Sequence, residues 1–136
     1  MRCSITLAML YNAKSLLDRG LPAPRPHVQL VLGVRNALPA RRQIFDFLLS
    51  ELRALLPDAT WKAAVIGRAE PEVVHWCIAE GGHVRTELED NLRLGARRPA
   101  TSGAELVRQA ADLAEAAGRR PATPAEAPQI LGLAPA

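Results

Sequence analysis

Residues 27–34 read HVQLVLGV and residues 60–67 read TWKAAVIG, two short and nearly continuous apolar runs. Runs of strand length with no clear polar face are expected of strands buried on both sides, as in parallel sheets. Between them the period changes from strand to helix. Ile44, Leu48, Leu52 and Leu55 fall on one stripe, so a helix is predicted from Pro39 to about residue 56, ended by Pro57-Asp58. Residues 7–19 (LAMLYNAKSLLDR) have the same helical spacing, and Gly20 is a natural stop. A further helix is predicted from Glu70 to about Glu80, with Val73, Val74, Cys77 and Ile78 inward and Gly81-Gly82 after it. Ser102-Gly103-Ala104-Glu105 forms a capping box for a helix to about Ala117, and Thr123-Pro124-Ala125-Glu126 starts a last short one.

The remaining segment, HVRTELEDNLRL at 83–94, is β-like but heavily charged. Read as a third strand, it places His83, Arg85, Glu87 and Glu89 on one face and Val84, Thr86 and Leu88 on the other. Asp90 falls where such a strand turns into a loop. Strand and helix thus alternate with short connections over residues 1–136, the grammar of an α/β domain with parallel strands. Three strands are too few to close a barrel of eight. The sheet is either open or the rear part of a longer βα barrel. If it is a barrel, charged residues near a strand's C-terminal end stand where such enzymes place their chemistry. If it is open, the same charges protect an exposed edge from aggregation.

Composition narrows the function classes. About half the residues are hydrophobic, 23% are charged and the net charge is +3, as expected of a soluble globular chain. The basic residues are almost all Arg, in scattered pairs at 41–42, 97–98 and 119–120, and aromatics are few. A nucleic-acid surface would need a clustered basic face or a stacking platform, so none is expected. Neither GVRNALP nor GRAEPE has the glycine-rich phosphate fingerprint. Cys3 and Cys77 are too few for a disulfide framework, and a reducing cytoplasm is the expected setting. The opening MRCSITLAML mimics a signal peptide, but it breaks at Tyr11-Asn12 with no small-residue cleavage site following. No apolar run reaches the ~18–20 residues needed to span a bilayer.

Five blocks in order resemble the β-keto acid cleavage enzymes, the group that includes the 3-keto-5-aminohexanoate cleavage enzymes: LYNA, HVQLVLGV, PDATWKAAVIGR, GGHVRTELEDNL and ATPAEAPQILGL. The resemblance implies the C-terminal portion of a zinc-containing (βα)8 TIM barrel. It also implies cleavage of a β-keto acid with acetyl-CoA to give acetoacetate and a new CoA thioester. Residue by residue, Glu89 resembles the family's carboxylate zinc ligand, Asp90 its catalytic base, and Arg85 the arginine that positions that base. The types suit the chemistry, since a carboxylate oriented by a guanidinium is placed for proton abstraction.

Three departures accompany the resemblance. Glu87 stands where the family motif has glycine, and SITLAMLYNA lacks an acidic residue the family carries before its apolar helix. The paired His-x-His zinc ligands are absent, while His27, His75 and His83 are isolated and read as structural. Catalytic zinc needs three protein ligands and an open position, and this chain offers one. The expectation is a C-terminal half-barrel, inactive until completed, that forms a homo-oligomer or joins a missing N-terminal half. The alternative is a non-catalytic α/β assembly module that pairs with a second chain.

Overall fold

The computed structural model describes residues 6–21, 25–94 and 98–133. Cys3, Ser4 and Ile5, part of the 21–26 loop, and Arg97 lie outside the described residues. The elements run α1 (Leu7–Asp18), β1 (His27–Leu32), α2 (Arg42–Leu55), β2 (Thr60–Val65), α3 (Glu70–Ala79) and β3 (His83–Val84), followed by β4 (Arg93–Leu94), β5 (Arg98–Pro99), α4 (Gly103–Ala116) and α5 (Glu126–Ile130). β1, β2 and β3 form a parallel sheet in that order, and β4 and β5 form a small antiparallel ribbon. The architecture is α/β with parallel strands alternating with helices. It is compatible with part of a TIM barrel, although the described residues do not close one.

The register decides which side chains meet. His27 pairs with Thr60 and Leu32 with Val65, while Lys62 pairs with His83 and Ala63 with Val84. Val28, Leu30 and Leu32 therefore share a face with Trp61, Ala63, Val65 and Val84. That face packs into one core with Phe45, Leu48, Leu49 and Leu52 of α2 and Val73 and Cys77 of α3. The other face carries His27, Val31, Thr60, Lys62 and His83, which are half-buried, and Gln29 and Ala64, which are buried. The strands are thus not buried equally on both sides: the helices cover one face and the opposite face remains partly open.

Several boundaries differ from expectation. α2 begins at Arg42, three residues after Pro39, because the connection from β1 must first close. Gly33 N–H donates to Leu38 O at 2.8 Å, and Arg41 is extended. The buried stripe of α2 is Phe45, Leu48, Leu49 and Leu52, rotated from the predicted Ile44/Leu55 edge. Phe45 draws it round, its ring lying 5.9 Å from that of Trp61 and 5.8 Å from that of Trp76. α4 has the expected cap, Ser102 Oγ accepting from Glu105 N–H. The Glu105 carboxylate, however, accepts from Thr101 N–H at 2.8 Å, one residue beyond the usual capping box.

The third strand is much shorter than 83–94. β3 covers His83–Val84, and Arg85 N–H adds one more bond to Ala63 O at 3.1 Å. By register β2 continues opposite Arg85 and Thr86 as far as Val65, so β3 leaves the ladder before its partner ends. The chain then turns, with Asp90 and Asn91 N–H both donating to Glu87 O at 3.1 Å. No helix among the described residues is long and apolar enough to cross a membrane.

Candidate active site

The C-terminal ends of β1, β2 and β3 lead into Gly33, Ile66-Gly67 and Arg85, which form one rim of the sheet. At this rim the turn after β3 folds back, and Gly67 N–H donates to Asp90 O at 3.0 Å. The turn overrides strict alternation. Arg85 Nη2 pairs with Glu87 and lies 3.4 Å from Asp90 Oδ2, so one guanidinium is shared by two carboxylates. The Asp90 side chain is only 12% exposed. Asp90 and Arg85, expected to form a base and its orienting partner, are brought together.

Glu89 is placed differently. It is exposed in the middle of the turn, not aligned with Arg85 and Glu87 on a strand face. Glu87 stands beside Arg85, and its buried Oε1 is the oxygen that meets Arg85 Nη2.

Behind the turn lies a group that sequence reasoning missed. Glu70, the first residue of α3, is 4% exposed, and Asn91 is 7% exposed. The Glu70 carboxylate accepts from Thr86 Oγ1 at 2.5 Å and from Asn91 Nδ2. Asn91 Nδ2 also donates to Arg93 O at 2.8 Å, and its Oδ1 accepts from Arg93 N–H at 3.1 Å. In the sequence, Glu70 reads only as an acid favoured in the first turn of a helix. Its contacts span 16 and 21 positions, and no local pattern reveals them.

The histidines lie elsewhere. His27 and His83 start their strands, at the end of the sheet opposite the rim, with ring centroids 5.9 Å apart. His27 Nδ1 lies 2.9 Å from Thr60 Oγ1. Burial, followed by the charge of Lys62, pushes the His27 imidazole down to about 4. Burial also lowers His83, with Arg119 and Lys62 adding to the effect. His75 is exposed on α3. Cys77 is buried in the core, and burial pushes its thiol up to about 12, which makes it a poor thiolate ligand.

The residues present do not fit a complete zinc site. Among the described residues, no group of three or more His, Cys, Asp or Glu side chains could hold a metal ion. Glu87 and Asp90 share Arg85, and Glu89 projects by itself into solvent.

The sequence model of the beta-keto acid cleavage enzyme family matches residues 4–133. A 3-oxoadipate:acetyl-CoA acetyltransferase of Cupriavidus necator is 43% identical over 93% of this chain and 45% of its own length. A 3-keto-5-aminohexanoate cleavage enzyme of Fusobacterium nucleatum is 39% identical over 95% of this chain and 44% of its own. A 3,5-dioxohexanoate:acetyl-CoA acetone transferase of Paraburkholderia graminis is 30% identical, with 41% of its length covered. The chain spans less than half the length of these curated relatives.

Proposed function

The chain belongs to the β-keto acid cleavage enzyme family, and from that premise we propose that it supplies the base-and-arginine part of a site that transfers acyl groups between a β-keto acid and acetyl-CoA. The products are acetoacetate and a new CoA thioester. The observation that carries this reading is the pairing of Arg85 with a largely buried Asp90, 3.4 Å apart, at the C-terminal rim of a parallel sheet. The relatives' names supply the substrate class, a β-keto acid with acetyl-CoA.

The carbon between a keto group and a carboxylate is the acidic position of such a substrate. Asp90 Oδ is the proposed acceptor of its proton, and Arg85 the group that keeps that oxygen aimed. Positioned bases of this kind contribute about 10²–10⁴-fold to rate. Glu87 competes for the same guanidinium. Glu89 is proposed as one carboxylate ligand of a metal whose other donors lie outside this chain. The proton transfer assigned to Asp90 is derived without that metal.

The test supplies an N-terminal half from a related barrel, by co-expression or fusion, and measures acetoacetate formed from acetyl-CoA and a panel of β-keto acids. Asp90→Asn should lower turnover by about 10²–10⁴-fold. Full turnover in that variant would remove Asp90 as the base. Tight binding of the second half with no turnover on any keto acid would favour a non-catalytic assembly module.

A further inference from the structure

We propose that Glu70 is a positioning residue for the Arg85–Asp90 pair, acting as a brace from the start of α3 across both ends of the turn. This rests on the reading of Arg85 and Asp90 as site residues.

The turn needs such a device. Between Thr86 and Asn91 the chain carries Glu87, Glu89 and Asp90, three like charges within four residues, and it lies beyond the last sheet hydrogen bond of β3. Loops of this kind are mobile unless other elements hold them. Glu70 is itself firmly held, because the same helix buries Val73, Val74, Cys77 and Ile78. Its two carboxylate oxygens take one hydrogen bond from each end of the turn, from Thr86 Oγ1 and from Asn91 Nδ2. A second tie runs along the backbone, where Glu70 N–H donates to Gly67 O at 3.3 Å and Gly67 N–H donates to Asp90 O at 3.0 Å. Asp90 is thus fixed at its main chain through Gly67 and flanked by residues clamped to Glu70, and its side chain stays within reach of Arg85.

The brace depends on hydrogen-bond geometry, and glutamine preserves it. Its amide oxygen accepts from Asn91 and its NH2 donates to the Thr86 hydroxyl, which can rotate to accept. Alanine preserves neither bond. The deciding measurement is amide hydrogen exchange on the whole 136-residue chain, comparing wild type with Glu70→Ala, Glu70→Gln and Thr86→Val. The reporters are Gly67, Asp90 and Asn91 N–H, with Ile66 N–H, which donates to Leu32 O at 3.1 Å, as the adjacent internal reference. In Glu70→Ala the three reporters should exchange about tenfold faster with Ile66 unchanged, and in Thr86→Val they should show a smaller increase in the same direction. Glu70→Gln should stay within about threefold of wild type. Unchanged reporters in Glu70→Ala would overturn the proposal. So would equal acceleration at Ile66, which would make Glu70 a general stability residue, or a Glu70→Gln result matching Glu70→Ala.

The kinetic consequence is read in the completed enzyme. Glu70→Ala should lower kcat with KM unchanged, and should cost nothing further in an Asp90→Asn background, because Glu70 acts through Asp90. An equal loss in both backgrounds would refute positioning. If the completed protein shows no turnover while hydrogen exchange follows the expected pattern, the acyl-transfer reading fails and the brace stands.

Discussion

Gly33 is the position where one added carbon should do the most damage, and the structure separates that damage into two parts. Its φ of +78° is a conformation L side chains rarely adopt, and an ideal Cβ there would lie 2.6 Å from the backbone oxygen of Ile66. A non-glycine residue in this region costs roughly 1–2 kcal/mol. Forcing a carbon against fixed backbone costs about 1–3 kcal/mol more. Ile66 cannot yield freely, because its N–H donates to Leu32 O and the next residue, Gly67, holds Asp90. Gly33→Ala should therefore destabilise the chain by roughly 2–5 kcal/mol. Gly20 is the matched control: φ is +71° and nothing lies within 4 Å of its Cβ position, so Gly20→Ala should show only the conformational part. The assay is urea unfolding followed by tryptophan fluorescence, with buried Trp61 and half-buried Trp76 as reporters. If the two variants were equally destabilised, the steric part of the argument would be wrong, and so would the tight packing of β1 against the end of β2.

Other outcomes follow from the same geometry. The 136-residue chain should not retain stoichiometric zinc after dialysis, since Glu89 has no companion ligand set among the described residues; elemental analysis giving one tightly held zinc per chain would contradict this. In the completed barrel, Glu87→Gly should raise acetoacetate formation by freeing Arg85 for Asp90 and clearing space at the rim, and a fall in rate would show that Glu87 takes part. Among the described residues β1 and β3 are each paired on one side, so light scattering should show oligomers, and a monodisperse monomer with a sharp melt would mean those edges are protected. Melting temperature should also fall with acid. An unfolded His27 binds a proton below about 6.5 whereas the folded one resists until about 4, so the His27 share of stability is lost as pH drops through that window and is constant below it. His83 adds in the same direction, and a His27→Gln variant with an undiminished slope would assign the effect elsewhere.

Elements whose cause is local were legible in the sequence. The apolar runs of β1 and β2, the inward residues of α3 and the Ser102 cap all depend on neighbours within a few positions, and each lies where its pattern points. The segment 83–94 was harder because alternation there is real but lacks a partner. Beyond Val65, which by register stands opposite Thr86, β2 offers no backbone to pair with, so a strand here could reach Thr86 at most. Arg85 and Asp90 could be picked out by resemblance, and they meet through a turn that periodicity does not predict. Glu70 could not be picked out at all. Its burial depends on Thr86 and Asn91 arriving from a later part of the chain, and an acid at a helix start looks the same whether it faces solvent or braces a loop.

The strict order of the sheet bears on how this chain comes together. β1 meets β2 at a separation of 33 residues, His27 to Thr60, and β2 meets β3 at 21, Lys62 to His83. Among the described residues every pairing joins strands that are neighbours in sequence, so no strand must wait for a distant one before it can dock. Chain-closure entropy rises only slowly with length, so the two closures cost nearly the same. Each βα unit thus adds to an edge that is already formed, in the direction in which a ribosome delivers it. A strand arriving from elsewhere, on the open side of β1 or of β3, meets the same kind of edge and can be added without undoing what is already paired.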